Sequence, residues 1–413
     1  MMKIKNNKKN LKRNQNDKSK LSKESENEVI KIYIYRFLMS FELLSGVFIP
    51  FYYYWVNVDF FGAMLFQSYF TIVILLLEIP CGAISDYFGK KLSLFLGGFM
   101  GVIGTVMYSV YQNIFLFIIA ETILAFSFAL VSGTDQAILY DILNKEEKQD
   151  DISKKMSVLN SFIFIGSGIS APIGSLIGKY ISLQFVMFSM AIPFLLATLI
   201  AISINEPEQK IKINKEEDKY SDVVWSGIGE LRKNKILRIL TFEFIFIDTI
   251  VIFNFLTYQP YMEQINVPLE FFGLIHGLMT LCQVIFTYVL PKIVVKIHKK
   301  KRLLTFYTII AGILFILMAL IKYPLISICL VLLFSGFGFS RNILFVKGIN
   351  YQIKTKNRAT VLSTINMLNN ILQVILFPLI GLMLISNLTI IYIILGSTII
   401  FFALFSKLKN EYL

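Results

Sequence analysis

Five carboxylates stand inside otherwise apolar stretches of this 413-residue chain: Glu42, Glu78, Glu121, Glu243 and Asp248. Arg341 is the one firm base at comparable depth, and His276 is a second candidate partner. An ionisable side chain at bilayer depth costs about 2.5–3.5 kcal/mol on insertion scales, so it faces a cavity or a partner. With more acids than bases, the surplus carboxyls can take up and release protons, which suits coupling to a proton gradient. Glu42 falls in the middle of its apolar run, facing either a central cavity or an interhelical hydrogen-bond partner. Glu121 lies about two helical turns from the outer end of its run, where the run starts, and is a candidate proton site. Glu243 and Asp248 are five residues apart, so they point to different faces of one helix. Asp248 is the deeper of the two and the better candidate for coupling. Glu78 sits one turn before Gly82 and belongs either to the pathway or to the loop that follows. Arg341 is near the end of its run, where a long basic side chain ordinarily snorkels to the interface. His276 reads as a packed polar residue.

These residues need a scaffold, and composition supplies its class. Hydrophobic residues make up 56% of the chain and charged residues 16%, more apolar surface than a soluble domain can hide. Runs of about 20 mainly apolar residues, enough to span a bilayer, occur near 32–56, 62–84, 92–111, 114–137, 157–178 and 184–204. A second set lies near 237–258, 270–294, 303–321, 324–346, 359–384 and 388–405. The expectation is an all-α membrane protein of twelve transmembrane helices. It divides into a polar tail (1–31), a six-helix bundle (32–204), a linker (205–236), a second six-helix bundle (237–406) and a short tail (407–413).

Charge sets the expected orientation. The net charge of +13 resides in the tail, which holds ten Lys/Arg, and in loops, so no compact basic face for nucleic acid exists. The linker is balanced, with seven Lys/Arg against seven Asp/Glu, and reads as solvated. If the N-terminus is cytoplasmic, the outer loops contain only Lys179 and Lys322 of the 40 basic residues. That bias places both termini inside, in a plasma membrane. The three cysteines, Cys81, Cys282 and Cys329, all lie in apolar runs and form no metal or disulfide pattern. Phe51-Tyr52-Tyr53-Tyr54-Trp55 reads as an interfacial aromatic anchor, and Gly97, Gly98, Gly101 and Gly104 as a close-packing stripe. Pro50, Pro80, Pro172, Pro193 and Pro378 are expected to bend their helices.

The two sets echo each other. Lys155-Met-Ser-Val-Leu opens the fifth run and Arg358-Ala-Thr-Val-Leu the eleventh, while Arg36…Glu42 in the first is matched by Arg238…Glu243 in the seventh. Two matches at nearly one offset argue for duplicated halves. Between the second and third runs stands Gly82-Ala-Ile-Ser-Asp86-Tyr-Phe-Gly89-Lys90-Lys91. It resembles the G-x-x-x-D-x-x-G-R-K loop of the major facilitator superfamily. Glu78-Ile-Pro-Cys-Gly82 and Ser132-Gly-Thr-Asp-Gln-Ala-Ile-Leu-Tyr-Asp141 resemble a bacterial drug-efflux-type branch. The resemblance implies two bundles around a midplane cavity, a monomer, and a cytoplasmic latch of Glu78, Gly82, Asp86, Gly89, Lys90 and Lys91. In that latch Asp86 would face the start of the eleventh helix, near Arg358 to Ser363.

The function expected from these readings is proton-coupled export of a small amphipathic or aromatic compound, with no cofactor beyond the proton gradient. Glu121 occupies the region where many efflux members carry an arginine, so direction stays open and nutrient uptake by symport is the alternative. A non-transporting receptor or assembly factor is the reading from another class. An enzyme is not expected, because no nucleophile–base set, metal cluster or phosphate loop is present.

Overall fold

The computed structural model describes residues 22–145, 152–207, 220–296, 299–353 and 358–413. The tail to residue 21 and the middle of the linker lie outside them. Twelve crossings run alternately up and down. Those of the first half are 23–56, Phe60–Phe88, Lys90–Val110, 114–145, Ile152–Tyr180 and 183–203. Those of the second half are Lys235–Gln264, 269–296, Lys300–Leu320, 324–352, Arg358–Ser386 and Leu388–Leu404. The face carrying the start of the first crossing and the end of the twelfth is termed the terminal face, and the opposite one the far face. Among the described residues, nine helical spans are long and apolar enough on their own to cross a membrane. The twelfth crossing is 17 residues long, and the first is divided.

Four crossings depart from the uninterrupted helices expected, the sixth only at Met190, between Leu183–Ser189 and Ala191–Ser203. The first ends its helix at Met39, passes through a 3-10 turn at Leu43–Gly46 and a short helix at Phe48–Phe51, and finishes in a π turn at Tyr52–Val56. Glu42 therefore lies in the break, with φ −87° and ψ 88°, and not on a helix face. The fourth divides at Ser132–Gly133, where Gly133 adopts φ +75°. Its counterpart six crossings later, the tenth, divides at Arg341. A divided helix frees backbone groups at membrane depth, which is tolerated only where protein or a cavity satisfies them.

The first helix also starts at Lys23, well before the apolar run. Ser22 caps it, and the buried Glu28 accepts bonds from Lys31 Nζ (2.7 Å) and the Asn205 backbone N–H (2.8 Å). Its polar turns are thus held against the end of the sixth crossing. The linker is not wholly solvated either. Its helix Tyr220–Lys233 lies on the eleventh crossing, so closely that a Cβ on Gly227 would overlap the Thr364 hydroxyl.

Small residues let helices meet within each half, and the two halves use the same solution. Gly98 and Gly101 of the third crossing pack on Thr198 and Phe194 of the sixth, and Gly97 on Val131 of the fourth. In the second half Gly312 of the ninth faces the Gly396 carbonyl of the twelfth, and Gly396 faces that of Gly312. The outward surface carries exposed Leu76, Phe115, Val295 and Phe405, side chains that suit lipid.

Between the halves the packing is one-sided. On the far side a Cβ at Gly273 would overlap the Ala171 carbonyl, Gly277 abuts the Gly168 carbonyl, and Gly381 meets Phe61 and Met64. Polar contacts reinforce this seam: Ser175 Oγ donates to Glu270 O (2.9 Å), Ser68 Oγ to Val374 O (3.1 Å) and Tyr54 Oη to Glu263 Oε1 (2.5 Å). Towards the terminal face the halves part. Glu78, Ile79, Pro80 and Gly82 of the second crossing are exposed, and nothing lies within 4 Å of a Cβ built on Gly82.

Candidate functional site

At the point where the seam opens, between the halves, lies a cavity of about 360 Å³. Its polar lining is Glu42, Ser45, Gln67, Glu121, His276 and Gln373, and its walls are Phe48, Tyr52, Phe70, Phe128, Phe255 and Phe377 with Met187 and Met190. No Lys or Arg is among the lining residues. Glu42 projects from the break in the first crossing, and Glu121, 6% exposed, comes from the fourth. Both carboxyls thus reach one apolar, aromatic chamber, which suits a solute with a flat apolar body and a cationic or hydrogen-bond-donating group.

The far wall of the chamber depends on Gln259 of the seventh crossing, a residue the sequence reading did not single out. Its Oε1 accepts the Ile49 N–H (2.8 Å), and its Nε2 donates to Ser45 O (3.0 Å) and Tyr258 Oη (2.9 Å). One side chain of the second half therefore satisfies two backbone groups freed by the break in the first. Nothing local in the sequence announces this, because the bond joins residues 210 positions apart. His276 lines the chamber, with its ring against Phe255.

The other acids stand elsewhere. Glu243 takes the Ser406 hydroxyl (2.7 Å) and the Lys407 N–H (3.1 Å), tying the seventh crossing to the segment after the twelfth. Asp248 accepts from Asn342 Nδ2 (2.5 Å) and Asn369 Nδ2 (3.1 Å) and does not line the chamber. The two do point to different faces, as their spacing requires. Arg341 does not snorkel. It is fully buried. In the first half, Arg36 of the first crossing pairs with Asp135 of the fourth at 3.3 Å.

The Gly82–Lys91 loop is organised by partners from two other segments. Lys90 Nζ reaches Asp141 Oδ2 of the fourth crossing at 2.6 Å. The Glu206 carboxylate, just after the sixth crossing, accepts the Lys90 and Lys91 N–H groups (2.8 and 3.0 Å), capping the third crossing where the helix start is electropositive. Gly89 makes the turn at φ +96°, ψ 149°, a conformation essentially reserved for glycine. A Cβ there would stand 2.8 Å from Glu206 Oε2. Gly89→Val should destabilise the protein by ~1–3 kcal/mol, read as a lowered melting temperature in detergent; an unchanged melting temperature would refute the capping role. Asp86, by contrast, is exposed, and among the described residues it has no bond to the eleventh crossing. Arg358 turns instead to Asn350 Oδ1 (2.8 Å) within its own half. The expected Asp86 contact is unmade here because the halves are parted on this face.

Two six-helix halves enclosing a mid-depth chamber, sealed on one face and parted on the other, define a polytopic membrane protein of the carrier type. The chain belongs to the Major Facilitator Superfamily, whose family model matches residues 36–375. Among curated proteins it is 34% identical over 142 residues to an uncharacterized transporter of Buchnera aphidicola subsp. Schizaphis graminum, covering 33% of this chain and 35% of that protein. It is 25% identical over 144 residues to an uncharacterized MFS-type transporter of Methanocaldococcus jannaschii, covering 33% and 36%. The matched stretch thus spans about a third of each relative. Among solved structures it resembles a mutant form of the nucleoside transporter NupG (TM-score 0.77, 16% identity, 91% of this chain and 98% of that one). It also resembles a POT family transporter in complex with a thioalcohol-conjugated peptide (0.74, 15%, 91% and 94%) and a D-xylose–proton symporter (0.68, 13%, 94% and 99%). At these identities the likeness is one of fold.

Proposed function

We propose that this protein is a secondary transporter that exports a small amphipathic or aromatic compound in exchange for protons, by alternating access. The observation that carries the reading is the chamber itself: Glu42 and Glu121 on aromatic walls, at the meeting of two halves closed on one face only. Two carboxyls in a lining without Lys or Arg can hold either a cationic solute or protons, and competition between the two is the simplest basis for exchange. The basic residues favour a cytoplasmic terminal face in a plasma membrane, since Lys179 and Lys322 are the only ones assigned to the outer loops. On that orientation the conformation described here is open to the cytoplasm, the side from which an exporter loads. The Gly82–Lys91 loop would then latch onto the eleventh crossing once the terminal face closes. The protein is read as a monomer whose partners are lipid and solute.

The test is export of fluorescent aromatic cations and antibiotics from cells making the protein, with and without a proton uncoupler. Export that the uncoupler abolishes supports the reading. Accumulation driven by the same gradient would reverse the direction and favour uptake by symport, and no gradient-dependent movement of any solute would remove the proposal.

A further inference from the structure

The tenth crossing holds a buried charge, Arg341, whose guanidinium stands 5.5 Å from the Phe345 ring centre but makes no hydrogen bond among the described residues. Arg341 is 0% exposed, and none of its Nε, Nη1 and Nη2 atoms has a hydrogen-bond partner among the described residues. Two carboxylates act on it electrostatically, Asp248 and Glu243, but both are occupied: Asp248 by Asn342 and Asn369, Glu243 by Ser406 and the Lys407 N–H. A buried ion without a bonded partner is penalised by desolvation that nothing offsets. A conformation that supplies a partner is favoured over one that does not.

The other half displays what such a partner looks like. Arg36 on the first crossing and Asp135 on the fourth, just past its division, are paired. The seventh and tenth crossings also carry an acid and a base, Asp248 and Arg341, at positions other than the counterparts of Arg36 and Asp135, and among the described residues no bond joins them. Asn342, the residue now bonded to Asp248, follows Arg341 directly. One residue is about 100° of helix rotation, so a turn of the segment Asn342–Gln352 about the division trades Asn342 for Arg341 at the same carboxylate. The second obstacle is Asn369, which lies on the eleventh crossing, a helix that packs on the other half through Gly381 and Val374.

We propose that Asp248 and Arg341 form a state-dependent ion pair: open in the conformation described here, closed when the terminal face shuts, with Asn369 on the eleventh crossing holding Asp248 in the meantime. The pair is a positioning device that biases the equilibrium between the two conformations. It rests on the alternating-access reading above, and the following experiment separates the two.

Spin labels at Tyr87→Cys and Tyr351→Cys report the terminal face, and labels at Tyr111→Cys and Tyr323→Cys the far face, with Cys81, Cys282 and Cys329 replaced and the full chain in lipid nanodiscs. Electron–electron resonance distances then give the ratio of terminal-open to far-open molecules. Asp248→Asn and Arg341→Gln should each raise that ratio about tenfold or more, and the double variant no further than either single one. Asn369→Ala should lower it, and should lose that effect in the Asp248→Asn background. If Arg341→Gln does not fold, the Asp248→Asn and Asn369→Ala pair carries the test alone. Additive effects, an unchanged ratio, or Asn369→Ala moving the ratio upward would overturn the pair. So would one fixed distance in every variant. Export with uncoupler sensitivity but additive effects removes the pair and leaves the transport reading standing. Non-additive shifts in a protein that moves no solute do the reverse.

Discussion

Replacing Glu121 by Gln should reduce uncoupler-sensitive export to background, a fall of about a hundredfold, while the protein still reaches the membrane and still binds its solute. Gln keeps the size and the hydrogen-bonding reach of Glu but has no proton to exchange, so what is lost is coupling and not shape. Glu121 is the strong choice because it is almost fully buried and lines a chamber whose lining holds no Lys or Arg. Glu42, half-buried in the break of the first crossing, is more accessible and better placed to meet the solute. Glu42→Gln should therefore weaken binding of an aromatic cation about tenfold and leave the response to the proton gradient in place. The measurements are export with and without uncoupler, and solute binding to the purified protein. If both variants export at the parent rate and both keep their gradient dependence, the chamber carboxyls are structural.

The second large effect concerns the seam. A side chain at Gly273 cannot be accommodated on the far face, because its Cβ would overlap the backbone carbonyl of Ala171 and stand 2.6 Å from Ser175 Oγ. Backbone in the middle of a packed crossing has no rotamer to give, so the halves must separate there. Gly273→Val should consequently drive the population towards the far-open conformation. Carrying a two-state protein from one conformer dominant to the other takes about 5.5 kcal/mol, and backbone overlap of this kind is of a size to contribute much of it. Far-face spin-label distances should lengthen, terminal-face distances should shorten, and export should fall at least tenfold. Gly168→Ala is the control: it lies on the fifth crossing beside Ala171, the residue that Gly273 meets, but nothing stands within 4 Å of its Cβ, and the distances should not change. Equal behaviour of the two variants would mean that the glycine contacts do not set the closure.

Much of this protein was legible before any coordinates. Each apolar run became a crossing at close to the expected place, though the first is broken into several pieces, because the cost of leaving water or entering lipid is summed residue by residue along the chain. The close-packing role of Gly97, Gly98, Gly101 and Gly104 was legible for a similar reason: a stripe of missing side chains is a local property of one helix. The Gly82–Lys91 loop was readable as a motif, but its partners Asp141 and Glu206 were not. They reach it from segments 51 and 116 residues away, and neither spacing carries a periodic signal.

The candidate site divides along the same line. Sequence alone determined that acids outnumber bases at membrane depth, and that the chain must bring them to a cavity or to partners. It could not decide which acid goes where. Glu42 and Glu121 share the chamber because the first crossing breaks at Ser40–Val47 and the fourth lies beside it. Asp248 and Glu243 are diverted to Asn342, Asn369 and Ser406 by the packing of the second half. Gln259 acquired its place only when the two halves met and the broken backbone of one needed a donor and an acceptor from the other. Hydropathy is additive and short-ranged, so it fixes how many helices there are and where they lie in the chain. A cavity, a bond across 210 positions and an arginine buried without a hydrogen bond among the described residues are properties of several helices at once, and only the tertiary structure settles them.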